Sequence, residues 1–469
     1  MPSNLFGKLP TVSELLERPP LKKLRETMGS TALVSSVGAY LDRYQRDFKT
    51  RVADFPAPKL QQLAESISRW LASDAPPGIQ AAINGTGIML ATELGKCALA
   101  ERAIQGAYAR LRDYHTTQLC SASPESRGVR SGASQAEAAR LIAELAGAPD
   151  AAIVNTRESA LHLALNQLAA GRKLVVARGH LGETFDAIHL PRLIAGAGAR
   201  LAEVGASNSA SLADFEKAID DETAAILVVD DSNFGGASRS TTPSLSELVA
   251  LAKSRRVSLI YDIGLGGLQN RDEYRGLDVR NVKDAVGAGA DLVIAAGNHL
   301  LGGPEAGLLV GQRSSIEALR QSPLFPLTAP APLSLAVLAE TLEIYRVGDF
   351  VADEIPLLSL LTTSQENLEL RANRLAEQIV ASPLIESASV EPCKSQLVPG
   401  GAPIDSFCVA IAPSDGDPQS IRAQLRENLY PLYVREKAER IEIDLRGIFP
   451  RQDFMVAAMF PLGLEEPSQ

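Results

Sequence analysis

The chain has 469 residues, 45% hydrophobic, 22% charged and 5% aromatic, with a formal net charge of −10. That length exceeds one small domain, and the composition fits an α/β protein with a core large enough to need no disulfide or metal staples. The acidic balance excludes general coating of nucleic acid, and DNA binding with it, because phosphate affinity needs clustered Lys and Arg.

Residues 1–78 read as an N-terminal helical domain. Thr11-Val-Ser-Glu14 has the form of a capping box and is followed by Leu15 and Leu16. Residues 31–51 and 59–72 keep apolar positions at the helical period. Over residues 1–70, eleven Lys and Arg stand against seven Asp and Glu, a basic excess on an acidic protein. Asp74-Ala-Pro-Pro-Gly78 is a breaker cluster that reads as a linker.

Residues 79–330 read as a large α/β domain. Apolar runs at 151–155, 173–177, 224–229, 257–262 and 291–296 alternate with amphipathic stretches at 134–147, 157–169, 211–219, 244–256 and 281–289. This alternation predicts a mostly parallel sheet covered on both faces, with the ligand at the carboxyl ends of the strands. Asn155, Asp230, Asp262 and Asn298 fall at such ends. The proline-rich segment 323–332 reads as a non-helical crossing. Residues 331–469 read as a small C-terminal α+β domain, helical at 334–346 and 351–382 and mixed over 386–458.

The four cysteines show neither C-x-x-C nor zinc-ligand spacing, so no metal site is expected. The N-terminus has no apolar h-region and no run approaches a membrane span, which makes the cytoplasm the expected location.

Three features can serve a phosphorylated pyridine. Asn155-Thr156-Arg157 ends a strand and opens a helix, so Thr156 can cap it and backbone N–H groups can meet a phosphate. An ordinary capped helix explains the same residues. Asp262, followed by a glycine-rich turn, can pair with a protonated ring nitrogen, or can simply be a polar strand terminus. Gly302-Gly303-Pro304 lets the backbone approach a ligand, or forms a tight hairpin.

Together and in this order the motifs resemble bacterial selenocysteine synthase, the L-seryl-tRNA selenium transferase family. The resemblance rests on Ile83-Asn-Gly-Thr-Gly-Ile-Met-Leu-Ala-Thr-Glu-Leu-Gly95, Ser232-Asn-Phe234, Tyr261-Asp-Ile-Gly264, Leu300-Leu-Gly-Gly-Pro-Glu-Ala-Gly307 and Ile443-Asp-Leu-Arg446, and it covers nearly the whole chain. It implies a fold-type-I core of the aspartate-aminotransferase-like, pyridoxal-phosphate-dependent transferase class. It further implies a tRNA contact through the N-terminal domain and a homo-oligomer, a dimer or a ring of dimers. The implied cofactor residues are Asn155, Thr156, Arg157, Asp262, Asn298, Gly302 and Gly303.

The chain departs from that pattern where chemistry is decided. The family's Schiff-base lysine is His299, which has no primary amine and can act at most as acid or base. The family's basic donor-binding segment corresponds to the uncharged residues 324–333, and its asparagine run to Asn155-Thr156-Arg157-Glu158. Pyridoxal phosphate or pyridoxamine phosphate, if bound, is therefore expected to be held non-covalently. Three functions stay open: a selenium transferase with another group in the lysine's role, a diverged enzyme using His299 on a small amino-acid or sugar substrate, and a non-catalytic binding or regulatory paralogue. Lys96 is the one lysine the sequence does not exclude from the site.

Overall fold

The computed structural model describes residues 10–28, 60–74, 79–115, 133–234, 240–269, 279–428, 430–437 and 439–460, with Leu277 and several residues between 30 and 41. The chain divides into two compact units, Met1–Ala81 with Leu429–Pro431, and the remainder.

The first unit contains helices α1 (Val12–Leu16), α2 (Pro19–Met28) and α3 (Leu60–Asp74). Thr11 and Glu14 close the capping box read from the sequence: Thr11 Oγ1 accepts from Glu14 N–H, and Glu14 Oε2 accepts from Thr11 N–H at 2.8 Å. Leu15, Leu21, Leu63 and Ile67 form its core. Each such side chain contributes roughly 1.5–3 kcal/mol through burial. Most of the helix read over 31–51 and of the linker at 74–78 lies outside the described residues.

In the second unit the chain runs β1 (Ile83–Gly85), α4 (Glu101–Leu111), α5 (Ala133–Ala146), β2 (Asp150–Val154), α6 (Arg157–Ala169), β3 (Lys173–Ala177), α7 (Leu190–Gly196), β4 (Arg200–Val204), α8 (Leu212–Ala218) and β5 (Thr223–Val229). It continues through α9 (Leu245–Arg255), β6 (Ser258–Asp262), α10 (Val282–Ala288), β7 (Leu292–Ala296), β8 (Gly307–Gly311), α11 (Arg313–Gln321) and α12 (Pro332–Val347). Seven strands form one sheet in the order β2-β8-β7-β6-β5-β3-β4. The pairs among β7, β6, β5, β3 and β4 are parallel, and β8 is antiparallel to both its neighbours. Strands β5, β7 and β8 are buried at every residue. That is why they read as unbroken apolar runs: side chains alternate between two separate cores, Ile153 in one and Val154 in the other.

Two expectations change. Strand β4 was not read from the sequence, because this edge strand is half exposed and its Arg-Leu-Ala-Glu-Val carries charge among the apolar residues. The continuous helix expected over 351–382 is three: α13 (Val351–Glu354), α14 (Pro356–Thr362) and α15 (Gln365–Ile379). Pro356 opens α14 at its first turn, and Ser364 caps α15 by accepting from Asn367 N–H.

The second sheet has the order β1-β11-β12-β10-β9, from β9 (Ile385–Gln396), β10 (Pro403–Pro413), β11 (Leu432–Lys437) and β12 (Arg440–Asp444). Ile83–Gly85, in the segment read with the large domain, pairs in parallel with β11. Helices α15 and α16 (Pro418–Arg426) supply Leu368, Leu375, Ile421 and Leu425 to the core beside this sheet.

Candidate functional site

The carboxyl ends of the parallel strands converge on one rim of the large sheet. Asp262 terminates β6, Asn233 follows β5 on a short turn, and Gly297-Asn298-His299 follow β7. Arg157 is the first residue of α6, after the N-cap Thr156, whose Oγ1 accepts from Ser159 N–H at 3.1 Å.

Arg157 ties this rim together. One guanidinium nitrogen, Nη1, donates to Asp262 Oδ2 and to Asn233 Oδ1, both at 2.7 Å. The other, Nη2, lies 3.2 Å from Glu158 Oε1 and 3.6 Å from Asp186 Oδ2. Burial alone would weaken its positive charge, but Asp262, Glu158 and Asp186 outweigh that and hold it cationic.

His299 is fully buried. Its Nδ1 lies 3.0 Å from Gly264 O. A carbonyl only accepts, so Nδ1 carries the proton and Nε2 is the bare nitrogen. Nε2 stands 3.5 Å from Asp186 Oδ2 and has no hydrogen-bond partner among the described residues. Burial lowers the imidazole's pKa; Asp186 pulls it back, while Arg157 and Lys96 push it further down. The ring is neutral at neutral pH, and Phe185 packs against it with centroids 5.3 Å apart.

Asp186 sits on a tight turn at the centre of the charges. Burial would raise its carboxyl, but its charged surroundings, Lys96 among them, hold it well below the ordinary carboxylate range. Lys96 Nζ approaches Asp186 Oδ1 to 2.8 Å. Lys96 adopts φ +66°, a left-handed backbone uncommon for a residue with a side chain. Beside these groups opens a cavity of about 480 Å³, lined among others by Lys96, Cys97, Glu158, Asp186, Asn298 and Glu305. The Cys97 thiol donates to Asn298 O and Gly303 O, and burial pushes its pKa up to about 12.

The residues expected around a cofactor are thus divided. Asp262 pairs with Arg157, Arg157 and His299 both approach Asp186, and Asn298 and Gly303 line the adjoining cavity. Gly302 forms the turn that closes on His299 O, with φ +67°. Thr156 caps its helix. Asn155 is exposed, and its N–H donates to Thr328 O. Asp186, Asn233 and Glu158 were missed as site residues. No periodicity places a loop carboxylate such as Asp186, and Asn233 carried a signal only in the Ser-Asn-Phe motif.

A pyridinium ring seated on Asp262 needs an acceptor site on that carboxylate and the space beside it. Oδ2 is taken by Arg157 and Oδ1 accepts from Gly264 N–H at 3.2 Å, in a residue 1% exposed. The Arg157 guanidinium already occupies the polar contacts of that seat, which opposes a ring there, and His299 offers no primary amine.

The L-seryl-tRNA selenium transferase family model matches residues 82–449. The L-seryl-tRNA(Sec) selenium transferase of Methylocella silvestris is 33% identical over 97% of this chain and 96% of its own length. Its counterpart from Moorella thermoacetica is 32% identical over 98% and 97%. Among solved structures, D-glucosaminate-6-phosphate ammonia-lyase is similar over 81% of this chain and 95% of that one, with TM-score 0.58 and 20% identity, which bears on the fold alone. The fold is the aspartate-aminotransferase-like fold type I, as the resemblance implied. With a family model spanning most of the chain and relatives one-third identical from end to end, the chain belongs to the L-seryl-tRNA selenium transferase family of pyridoxal-phosphate-dependent enzymes.

Proposed function

We propose that this family member does not carry out lysine-dependent selenium transfer and acts instead as a binding protein, with seryl-tRNA as the partner class. The observation that carries this reading is His299. It stands where the resemblance puts the Schiff-base lysine, without a primary amine, with its Nδ1 proton committed to Gly264 O. A buried neutral imidazole cannot form the covalent attachment that a lysine amine provides. The uncharged segment 324–333, where the resemblance puts a basic donor-binding stretch, agrees with it: Phe325 is buried in an apolar core and the stretch offers no cation to an anionic donor.

The relatives' name suggests the partner class, L-seryl-tRNA(Sec). The basic excess over residues 1–70 supports a contact with it through the N-terminal helices, and assembly into dimers or a ring of dimers belongs to the same reading.

Two measurements test it. The purified protein, incubated with pyridoxal phosphate and then borohydride, is expected to carry no trapped adduct on any lysine peptide; an adduct on Lys96 or elsewhere sinks the reading. A gel shift with seryl-tRNA(Sec) is expected to require residues 1–78. An undiminished shift after their removal makes the N-terminal assignment wrong. Retention of pyridoxamine phosphate that His299→Ala abolishes would instead favour a diverged enzyme.

A further inference from the structure

We infer that Arg157 is a resident substitute for the cofactor ring, and that it keeps the seat between Asp262 and Asn233 closed whether or not residue 299 is a lysine. This goes beyond the proposed function, which rests on His299; here the carrying residue is Arg157.

Three observations support it. First, a single Arg157 nitrogen meets Asp262 Oδ2 and Asn233 Oδ1 at 2.7 Å each, so the guanidinium occupies the polar contacts that a ring at this strand end would need. A pyridinium at this strand end would have to share Asp262 with a guanidinium already seated on it at 2.7 Å. Second, Arg157 is at the first position of a 13-residue helix, where the peptide dipole disfavours a positive charge. The chain compensates it with Asp262, Glu158 and Asp186. A cation held there against the dipole by three carboxylates is a built arrangement. Third, among the described residues the adjoining cavity is lined by one cation, Lys96, against Glu158, Asp186 and Glu305, and Lys96 is already paired with Asp186. A phosphate arriving at the start of α6 meets Glu158 and that acidic lining. Ring and phosphate are both opposed.

The test compares wild type, His299→Lys, Arg157→Asn and the double Arg157→Asn/His299→Lys, each equilibrated with pyridoxal phosphate, desalted, reduced with borohydride and mapped by mass spectrometry. Wild type and His299→Lys are expected to retain no cofactor, while the double variant retains it stoichiometrically on residue 299. An adduct on residue 299 in His299→Lys alone overturns the inference, because the seat is then open with Arg157 present. So does failure of the double variant to bind while its circular dichroism shows the wild-type fold at the temperature of the assay. Equilibrium dialysis of wild type with pyridoxamine phosphate needs no lysine and no variant to fold. Stoichiometric binding there also overturns the inference, and none is expected. An adduct in wild type defeats the proposed function; one confined to His299→Lys defeats this inference alone.

Discussion

At the scale of single residues, Arg157 and Asp262 define the energetics of the rim. Both are buried, and removing Arg157 leaves the charge of Asp262 uncompensated, which costs about 3–5 kcal/mol, whereas Arg157 keeps Glu158 and Asp186 when Asp262 is removed. Arg157→Ala is expected to destabilise by that order in denaturant unfolding, and Asp262→Ala by less. The double variant is expected to cost clearly less than their sum. Strict additivity would show that the two charges are not coupled. His299 makes the rim sensitive to pH. A histidine whose folded pKa lies below its unfolded value binds fewer protons folded than unfolded. Its contribution is complete above the unfolded value of 6.5 and is lost as pH falls below it. Stability is expected to drop between pH 7 and 5, by at most about 1.4 kcal/mol per pH unit for this group. His299→Gln removes its share of the slope; His180, also lowered by burial, keeps its own. An unchanged slope in His299→Gln would mean the ring is not held neutral.

At the scale of elements, the rim depends on one turn and one cap. Gly264, whose carbonyl accepts from His299, has φ +61°, and a Cβ there would lie 2.4 Å from Ser232 Oγ. Gly264→Ala therefore combines a left-handed backbone, worth about 1–2 kcal/mol, with a clash against the hydroxyl that accepts from Leu265 N–H. It is expected to lower the thermal midpoint more than Thr156→Ala, which removes only a helix cap worth roughly 1 kcal/mol. The reverse order in a melting experiment would contradict this account of the turn. The elements were legible where chemistry is local. The capping box at Thr11/Glu14 closes as its spacing demands, and the buried strands showed themselves as apolar runs. Strand β4 was not legible, because a half-exposed edge has no such run. The break at Pro356 was hidden by helical periodicity on both sides.

At the scale of the whole molecule, the proposed tRNA contact of a negative chain with a basic N-terminal excess is expected to be electrostatic and confined to that excess. Affinity for seryl-tRNA is expected to fall as salt rises, with a log–log slope of about −0.7 to −0.9 per phosphate contact. Lys22→Ala/Lys23→Ala, on α2, is expected to make that slope shallower. A salt-independent affinity would remove the electrostatic account. Among the described residues no helix is long and apolar enough to cross a membrane.

The sequence by itself determined the family, the alternating α/β order, and the replacement at position 299. These depend on residue identity and on patterns within a few turns of chain. It also placed Asp262 at a strand end, since the strand before it is a short apolar run. Only the tertiary structure decided what Asp262 does there. Arg157 is 105 positions away, and Asp186 lies on a loop with no period to mark it. As a sequence motif, Asn155-Thr156-Arg157 looked like a place for a phosphate. The folded chain turns the arginine away from that role and onto the carboxylate, because a buried charge at the wrong end of a helix dipole must find its partner inside the protein.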